Sequence, residues 1–229
     1  MPSQVLEGSF PSVAQSDEWA HFLADMTAGL HTVAQPLTIL RAAVAASATP
    51  GISPTKQRRY LDLSTAQIAR ACILFEYLQD LVTARQIEAD CAPIDLSVMV
   101  STVARDQKAA LQGSCIELEV LMPGVVPMPF GDASRTLQAI LAGLKVATLI
   151  SVPGDVIQLV ATLRDQHVEL VIRNDRVRGA VLGSSERLSL SLAKAHVLSQ
   201  KGEYEYAEDP FWTRLALPLF SVKPAYQSI

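Results

Sequence analysis

From Trp19 onward, apolar residues recur at alternating spacings of four and three: Trp19, Leu23, Met26, Leu30, Val33, Leu37, Leu40 and Val44. A heptad seam sustained this long predicts a long helix packed as in a coiled-coil bundle. Ser16-Asp17 supplies a helix cap, Glu18 suits the first turn, and Ser47-Ala48-Thr49-Pro50-Gly51 is a breaker segment. A second helix is expected from Ser53-Pro54 to about Arg85, with a similar seam through Leu61, Ile68, Ala71, Phe75, Leu78 and Val82. Two such helices on a short connection form an antiparallel hairpin. One hairpin cannot cover two long apolar stripes by itself. Either a second copy completes a four-helix bundle or the hairpin packs on the rest of its own chain, and a homodimer is the expectation.

The pattern changes after Cys91-Ala92-Pro93. Strands are predicted to begin at Pro93–Leu96 and to span Ile116–Leu121, Val156–Leu163, His167–Arg173, Tyr204–Tyr206 and Trp212–Leu219. Helices are predicted over Ser97–Leu111, Asp132–Ile150 and Leu188–Gln200. Strands mixed with three helices imply an α+β sandwich with the helices on one face of a sheet. The chain therefore divides into a loose tail at 1–15, a helical hairpin at 16–88 and a sandwich domain at 89–229.

Composition narrows the function classes. Apolar residues make up 49% and charged residues 18%, which suggests that some apolar surface is covered by a partner. The net charge of -4, a pI near 5.6 and the lack of a long Lys/Arg run argue against a nucleic-acid binder. Cys72, Cys91 and Cys115 show no CxxC spacing and read as free thiols. Residues 1–15 lack the basic start and apolar core of a signal peptide. The most apolar run, Leu137 to Val152, carries Lys145 and is shorter than the roughly 18–20 residues that cross a bilayer. A cytoplasmic protein that spans no membrane is the expectation.

His31 is the candidate chemical residue. Its helical neighbours are Thr27, Ala28, Ala34 and Gln35, mostly small and all uncharged. It lies off the seam, so its ring is expected to face solvent from a smooth surface that another protein can approach. Pro36 removes a backbone hydrogen bond and crowds the carbonyl of residue 32, so a bend is expected near His31.

The stretch His31-Thr-Val-Ala-Gln-Pro36-Leu37-Thr38 resembles the phosphoacceptor box of the dimerisation and phosphotransfer domain of sensor histidine kinases. Asp132-Ala-Ser-Arg-Thr-Leu-Gln-Ala-Ile-Leu-Ala-Gly-Leu resembles the helix that carries their nucleotide-binding asparagine box. Leu188 to Gly202 and Leu215-Ala-Leu-Pro-Leu resemble the last helix and final strand of their ATP-binding domain. The resemblance implies a histidine-kinase ATPase-like sandwich behind the hairpin, and it covers most of residues 16–220. It also exposes departures. The residue after the histidine, usually acidic, is Thr32. The Mg-ATP asparagines would fall near Ala142 and Val146, which offer no ligand oxygen. Of the glycine-rich phosphate boxes, Asn174-Asp175-Arg-Val-Arg-Gly179 keeps one acid and one glycine, although a triphosphate calls for flexible backbone amides and an oxygen-bound Mg²⁺.

A phosphoacceptor hairpin with a degenerate ATPase-like domain resembles a second family, the dimeric histidine phosphotransferases. These relay phosphoryl groups between receiver domains of response regulators. The run from Ala142 through Pro153-Gly154 to Ile157 resembles their helix, turn and strand. On that resemblance His31 is the phosphoacceptor, and Thr32 or Gln35 orients the ring or a water. No intrinsic cofactor is implied, and Mg²⁺ comes with the receiver partner. A free imidazole titrates near about 6.5, so its nucleophilic neutral form dominates at pH 7. Two alternatives stay open: a non-catalytic histidine-kinase-like scaffold that regulates a two-component partner, and an active ATP-dependent kinase.

The remaining features have plainer readings. His21 reads as solvated, His167 as structural and His196 as an edge residue. Lys56-Gln57-Arg58-Arg59 reads as a solvated helix end that would also suit an acidic receiver surface. Asp132 reads as a helix cap, and Trp19 and Trp212 as packing residues.

Overall fold

The computed structural model describes residues 13–177, 179 and 181–219, and side chains outside 13–19 and 21. The expected tail through residue 12, and the side chains of Trp19 and His21, lie outside the described residues. The chain divides into two compact units, residues 1–74 and 75–229. The division falls inside the second long helix, ahead of the expected boundary at 88/89.

In the first unit, α1 (Val13–Ser47) runs through Pro36, and α2 (Pro54–Gln86) follows after six residues. Because α1 starts at Val13, Ser16-Asp17 lies within the helix and does not cap it. The expected single seam separates into two faces. Gly29, Val33, Pro36 and Ala43 are buried and Leu40 is half-buried, a ladder of four-three spacing, and on α2 Ser64, Ala71 and Leu74 are buried. Leu23, Leu30, Leu37 and Val44, each seven residues apart, stay open at 48%, 56%, 43% and 49% exposure. On α2, Leu61, Ile68 and Phe75 repeat the same interval at 52%, 49% and 47%.

The second unit holds the rest of α2, then β1 (Ala92–Pro93), α3 (Leu96–Gly113), β2 (Glu117–Leu121), β3 (Phe130–Gly131) and α4 (Ala133–Ile150). Next come β4 (Val156–Arg164), β5 (His167–Asn174), α5 (Ser184–Leu198), β6 (Glu203–Glu208) and β7 (Phe211–Pro218). Five strands form one sheet in the order β2-β4-β5-β7-β6, and β1 pairs with β3 apart from it. β2 lies parallel to β4, and the other neighbours are antiparallel. This is the α+β architecture expected. Two details differ. The strand expected at Pro93–Leu96 is a two-residue pairing, because Asp95 caps α3 by accepting from the Val98 amide. α5 opens at Ser184, a turn before the expected start, on a polar Ser-Ser-Glu sequence with no apolar periodicity to reveal it.

Alternation along the strands sets the core. Ile157 and Leu159 of β4, Leu170 and Ile172 of β5, and Phe211, Leu215 and Leu217 of β7 are almost fully buried on one face. Ile140, Leu144 and Ala147 of α4 and Leu190 and Val197 of α5 join them in one cluster. Each of these side chains other than Ala147 contributes about 1.5–3 kcal/mol of burial. α4 comes so close to the sheet that a Cβ at Gly143 would lie 2.8 Å from Thr213 Oγ1 and 2.9 Å from Ile172 Cδ1. The opposite face carries charge: Arg214 is bonded to Glu169 at 2.6 Å and paired with Glu203 at 3.1 Å and Glu205 at 3.3 Å. Among the described residues no helix is long and apolar enough to cross a membrane.

Candidate phosphoacceptor site and the nucleotide-box positions

His31 is exposed in the middle of α1. At 100° per residue it points away from the buried ladder and about a third of a turn from the open stripe of Leu30 and Leu37. Ala24, Thr27, Ala28, Ala34, Gln35 and Thr38 surround it, all exposed and none charged. Thr27 and Thr38 hydroxyls donate back to the carbonyls of Leu23 and Ala34, at 2.7 and 2.8 Å, which keeps them close to the helix. The ring therefore stands above a low surface.

The two flanking candidates separate. Gln35 is exposed one turn on. Thr32 is 6% exposed, and its hydroxyl donates to the Ala28 carbonyl at 2.8 Å. Thr32 is thus turned to the ladder face with its proton engaged, and it cannot donate to the ring. The sequence did not reveal this, because the heptad seam alone leaves Thr32 on its margin.

At the positions where the resemblance led one to expect an asparagine box, Ala142 is half-buried and Val146 is 1% exposed. Asn174, which opens the stretch compared above with a glycine-rich box, is fully buried. Its Nδ2 donates to Ser151 Oγ at 2.8 Å and Asp155 Oδ2 at 3.1 Å, and its Oδ1 accepts from the Arg176 amide at 3.0 Å. Arg176 Nη1 also donates to the Gly154 carbonyl at 2.8 Å. The loop after β5 is thereby fastened to the turn before β4, and the Asn174 amide is committed to that task.

Sequence reasoning missed a second cluster. Arg135, 9% exposed, donates from Nη1 to the Ala84 carbonyl at 3.0 Å and to Ser199 Oγ at 2.5 Å, and from Nη2 to the Ile87 carbonyl at 2.7 Å. Asp132, which caps α4 as expected by accepting from the Arg135 amide at 3.1 Å, also pairs with its guanidinium at 3.5 Å. Three helix ends thus meet on one cation, with a carboxylate at the α4 N-terminus and the guanidinium on the end of α2. The available signal was a lone arginine in the first turn of an apolar helix. His196 lies here too. It is 7% exposed, not an edge residue, and neither ring nitrogen has a hydrogen-bond partner among the described residues. Burial, followed by the nearby Arg135 guanidinium, pushes its pKa below the ordinary histidine value, and Asp80 and Asp132 oppose that.

A hairpin of two long helices followed by a five-stranded sheet with helices on one face is the arrangement of a histidine kinase's dimerisation helices and ATPase domain. Several solved structures share it. The histidine kinase AdeS of Acinetobacter baumannii superposes with a TM-score of 0.62 at 17% identity, covering 82% of this chain and 98% of that one. Histidine kinase ThkA, solved in complex with response regulator protein TrrA, gives 0.68 at 14% identity over 94% of this chain and 69% of that one. Full-length ShkA, solved with AMPPNP, gives 0.52 at 16% identity over 85% and 46%. At these identities the likeness establishes the fold. No protein-family profile matches the chain, and no curated protein does.

Proposed function

We propose that this chain is a histidine phosphotransfer protein that relays a phosphoryl group between aspartates of response-regulator receiver domains. The observation that carries the reading is the exposed His31 ring on its low, uncharged surface, set in a kinase-like fold whose asparagine-box positions hold Ala142 and buried Val146. One neutral ring nitrogen attacks the phosphorus of an aspartyl phosphate. The phosphorus–nitrogen bond forms, the bond from phosphorus to the aspartyl oxygen breaks, and the carboxylate leaves with its electron pair. The second ring nitrogen releases its proton to water. Such a transfer depends on alignment and charge neutralisation, which the receiver's own Mg²⁺ and acidic site supply. His31 then needs reach and clearance rather than a nucleotide pocket.

Three further elements belong to the proposal. Gln35 positions water or the ring, a task that the engaged Thr32 hydroxyl leaves to it. A second copy covers the open stripes of α1 and α2. The protein works in the cytoplasm, where a receiver would meet it. A neighbouring fold solved with a response regulator supports the partner class.

The test is to incubate the full chain with receiver domains carrying acetyl-phosphate-derived radiolabel. Acid-labile label should appear on the wild type and be absent from His31→Ala, while Gln35→Ala should be labelled and lose its label more slowly. Labelling of His31→Ala at the wild-type level would defeat the proposal. An active kinase is the reading that the ShkA complex with AMPPNP favours by fold, and saturable micromolar ATP binding with autophosphorylation would replace the relay with it.

A further inference from the structure

The five-stranded sheet ends on β2 at one side and on β6 at the other. β2 pairs only with β4, in an unbroken parallel register from Glu117↔Val156 to Leu121↔Val160. The Glu117 amide donates to the Asp155 carbonyl at 3.0 Å, so the backbone groups of Glu117, Glu119 and Leu121 face β4. By alternation the N–H and C=O groups of Leu118 and Val120 point away from the sheet, and among the described residues nothing pairs with them. Within Glu117–Leu121 there is no proline and no break in register, two of the devices that usually blunt an open edge.

Two surfaces flank this edge. On the helix side, Leu118 and Val120 are half-buried against the core. A groove runs there between β2 and α3, floored by Ala104, Leu111, Ile116 and Leu118 and rimmed by exposed Arg105 and Lys108. Among the described residues none from β4 lines it, so it lies on the free side of β2. On the other face, Glu117 and Glu119 are exposed. Neither has a cation within 4 Å among the described residues, and Glu119 accepts only from the Gln158 side-chain amide at 2.6 Å. At the opposite edge, Glu203, Glu205 and Glu208 of β6 are taken up by Arg214 and Arg187.

These surfaces choose the occupant. A second copy of the same edge is disfavoured. The antiparallel registers that set Leu118 opposite Val120, or Leu118 opposite itself, put Glu119 against Glu119 or Glu117 against Glu119, and like charges directly opposite destabilise a pair of strands. A strand with Lys or Arg at alternate positions instead places them beside Glu117 and Glu119. Its intervening side chains fall on the groove side, where Arg105 and Lys108 repel a cation and Leu111, Ile116 and Leu118 favour an apolar group. A slip of one residue would turn the basic side chains toward the cations of α3, so the phase of the alternation is fixed.

We infer that the free edge of β2 and the groove beside α3 bind an extended segment of another protein, in which basic and apolar residues alternate, as a sixth strand of the sheet. Main-chain bonds to Leu118 and Val120 supply the attachment, and the alternating side chains supply the selection. The site shares no residue with the surface around His31, so the inference stands apart from the relay reading.

The experiment titrates the full chain with a labelled peptide, acetyl-Lys-Val-Lys-Val-Lys-Val-Lys-amide, and with its counterpart carrying Glu in place of Lys, while amide hydrogen exchange is followed residue by residue. The basic peptide should bind with a Kd below about 1 mM. The Leu118 and Val120 amides should exchange freely in the unbound protein and slow about tenfold or more when it binds. The acidic peptide should bind about tenfold more weakly, and Glu117→Lys/Glu119→Lys should narrow or reverse that preference. Val120→Pro removes one outward N–H and spares the bonds to β4, and it should weaken the basic peptide about threefold or more. The charge-reversal variant changes only exposed side chains, so it keeps the test readable if the proline variant does not fold. Binding of the basic peptide that survives both variants unchanged, or no binding by about 1 mM, would overturn the inference. So would protection of the Leu118 and Val120 amides in the unbound protein that grows with its concentration, which would give the edge to a second copy.

Discussion

Single side chains in this molecule show how position decides chemistry. His31 and His196 both sit on helices, yet one is solvent-facing and the other is enclosed beside a guanidinium. In folded protein, His196 holds a proton less readily than in the unfolded chain, because burial and then Arg135 disfavour its charge. Below the ordinary histidine pKa of about 6.5 the unfolded chain therefore takes up a proton that the folded chain does not. Stability contributed by the neutral ring is complete above that pH and declines as pH falls toward the folded pKa. Thermal denaturation of wild type and His196→Gln between pH 5 and 8 checks this. The wild type should lose more of its midpoint than the variant between pH 6.5 and 5, and parallel curves would refute it. The sequence pattern placed His31 outward correctly, since a helix with a seam has a definable outside. His196 escaped it because α5 is covered on more than one side, and periodicity marks only the strongest face.

At the level of elements, the sequence was most informative where one face is buried and one open. The limits of α2 and α4, and the paired strands β4 and β5, follow their hydrophobic spacing to within about a residue or two. Junctions were less legible. The start of α5 rests on Ser-Ser-Glu without a side-chain cap bond, and the pairing of β1 with β3 depends on a partner far along the chain. The Arg135 cluster was invisible for the same reason: its meaning lies in carbonyls at and just past the end of α2, some fifty residues away. Arg135→Met would leave the Ala84 and Ile87 carbonyls without their donor and is expected to cost about 2–4 kcal/mol in urea denaturation. Arg135→Lys should recover only part of that, because an ammonium cannot reproduce the planar fork.

For the whole molecule, the open stripes carry the largest consequence. Leu30, Leu37, Ile68 and Phe75 lie on stripes spaced for a bundle seam, and each is 43–56% exposed. On the proposal that a second copy covers these stripes, Leu30→Glu/Leu37→Glu is expected to turn a wild-type dimer into a monomer in light scattering at micromolar concentration while helicity stays near wild type. A wild type that is monomeric at such concentrations would contradict the pairing.

Val146 closes a route as well as a gap. Buried to 1% exposure at a position where kinases of this fold resemblance would present an asparagine, it belongs to the packing that holds α4 on the sheet. An amide installed there would meet hydrocarbon, at about 1–3 kcal/mol, before it met any magnesium. A polar side chain at this position would thus demand that several core residues change together.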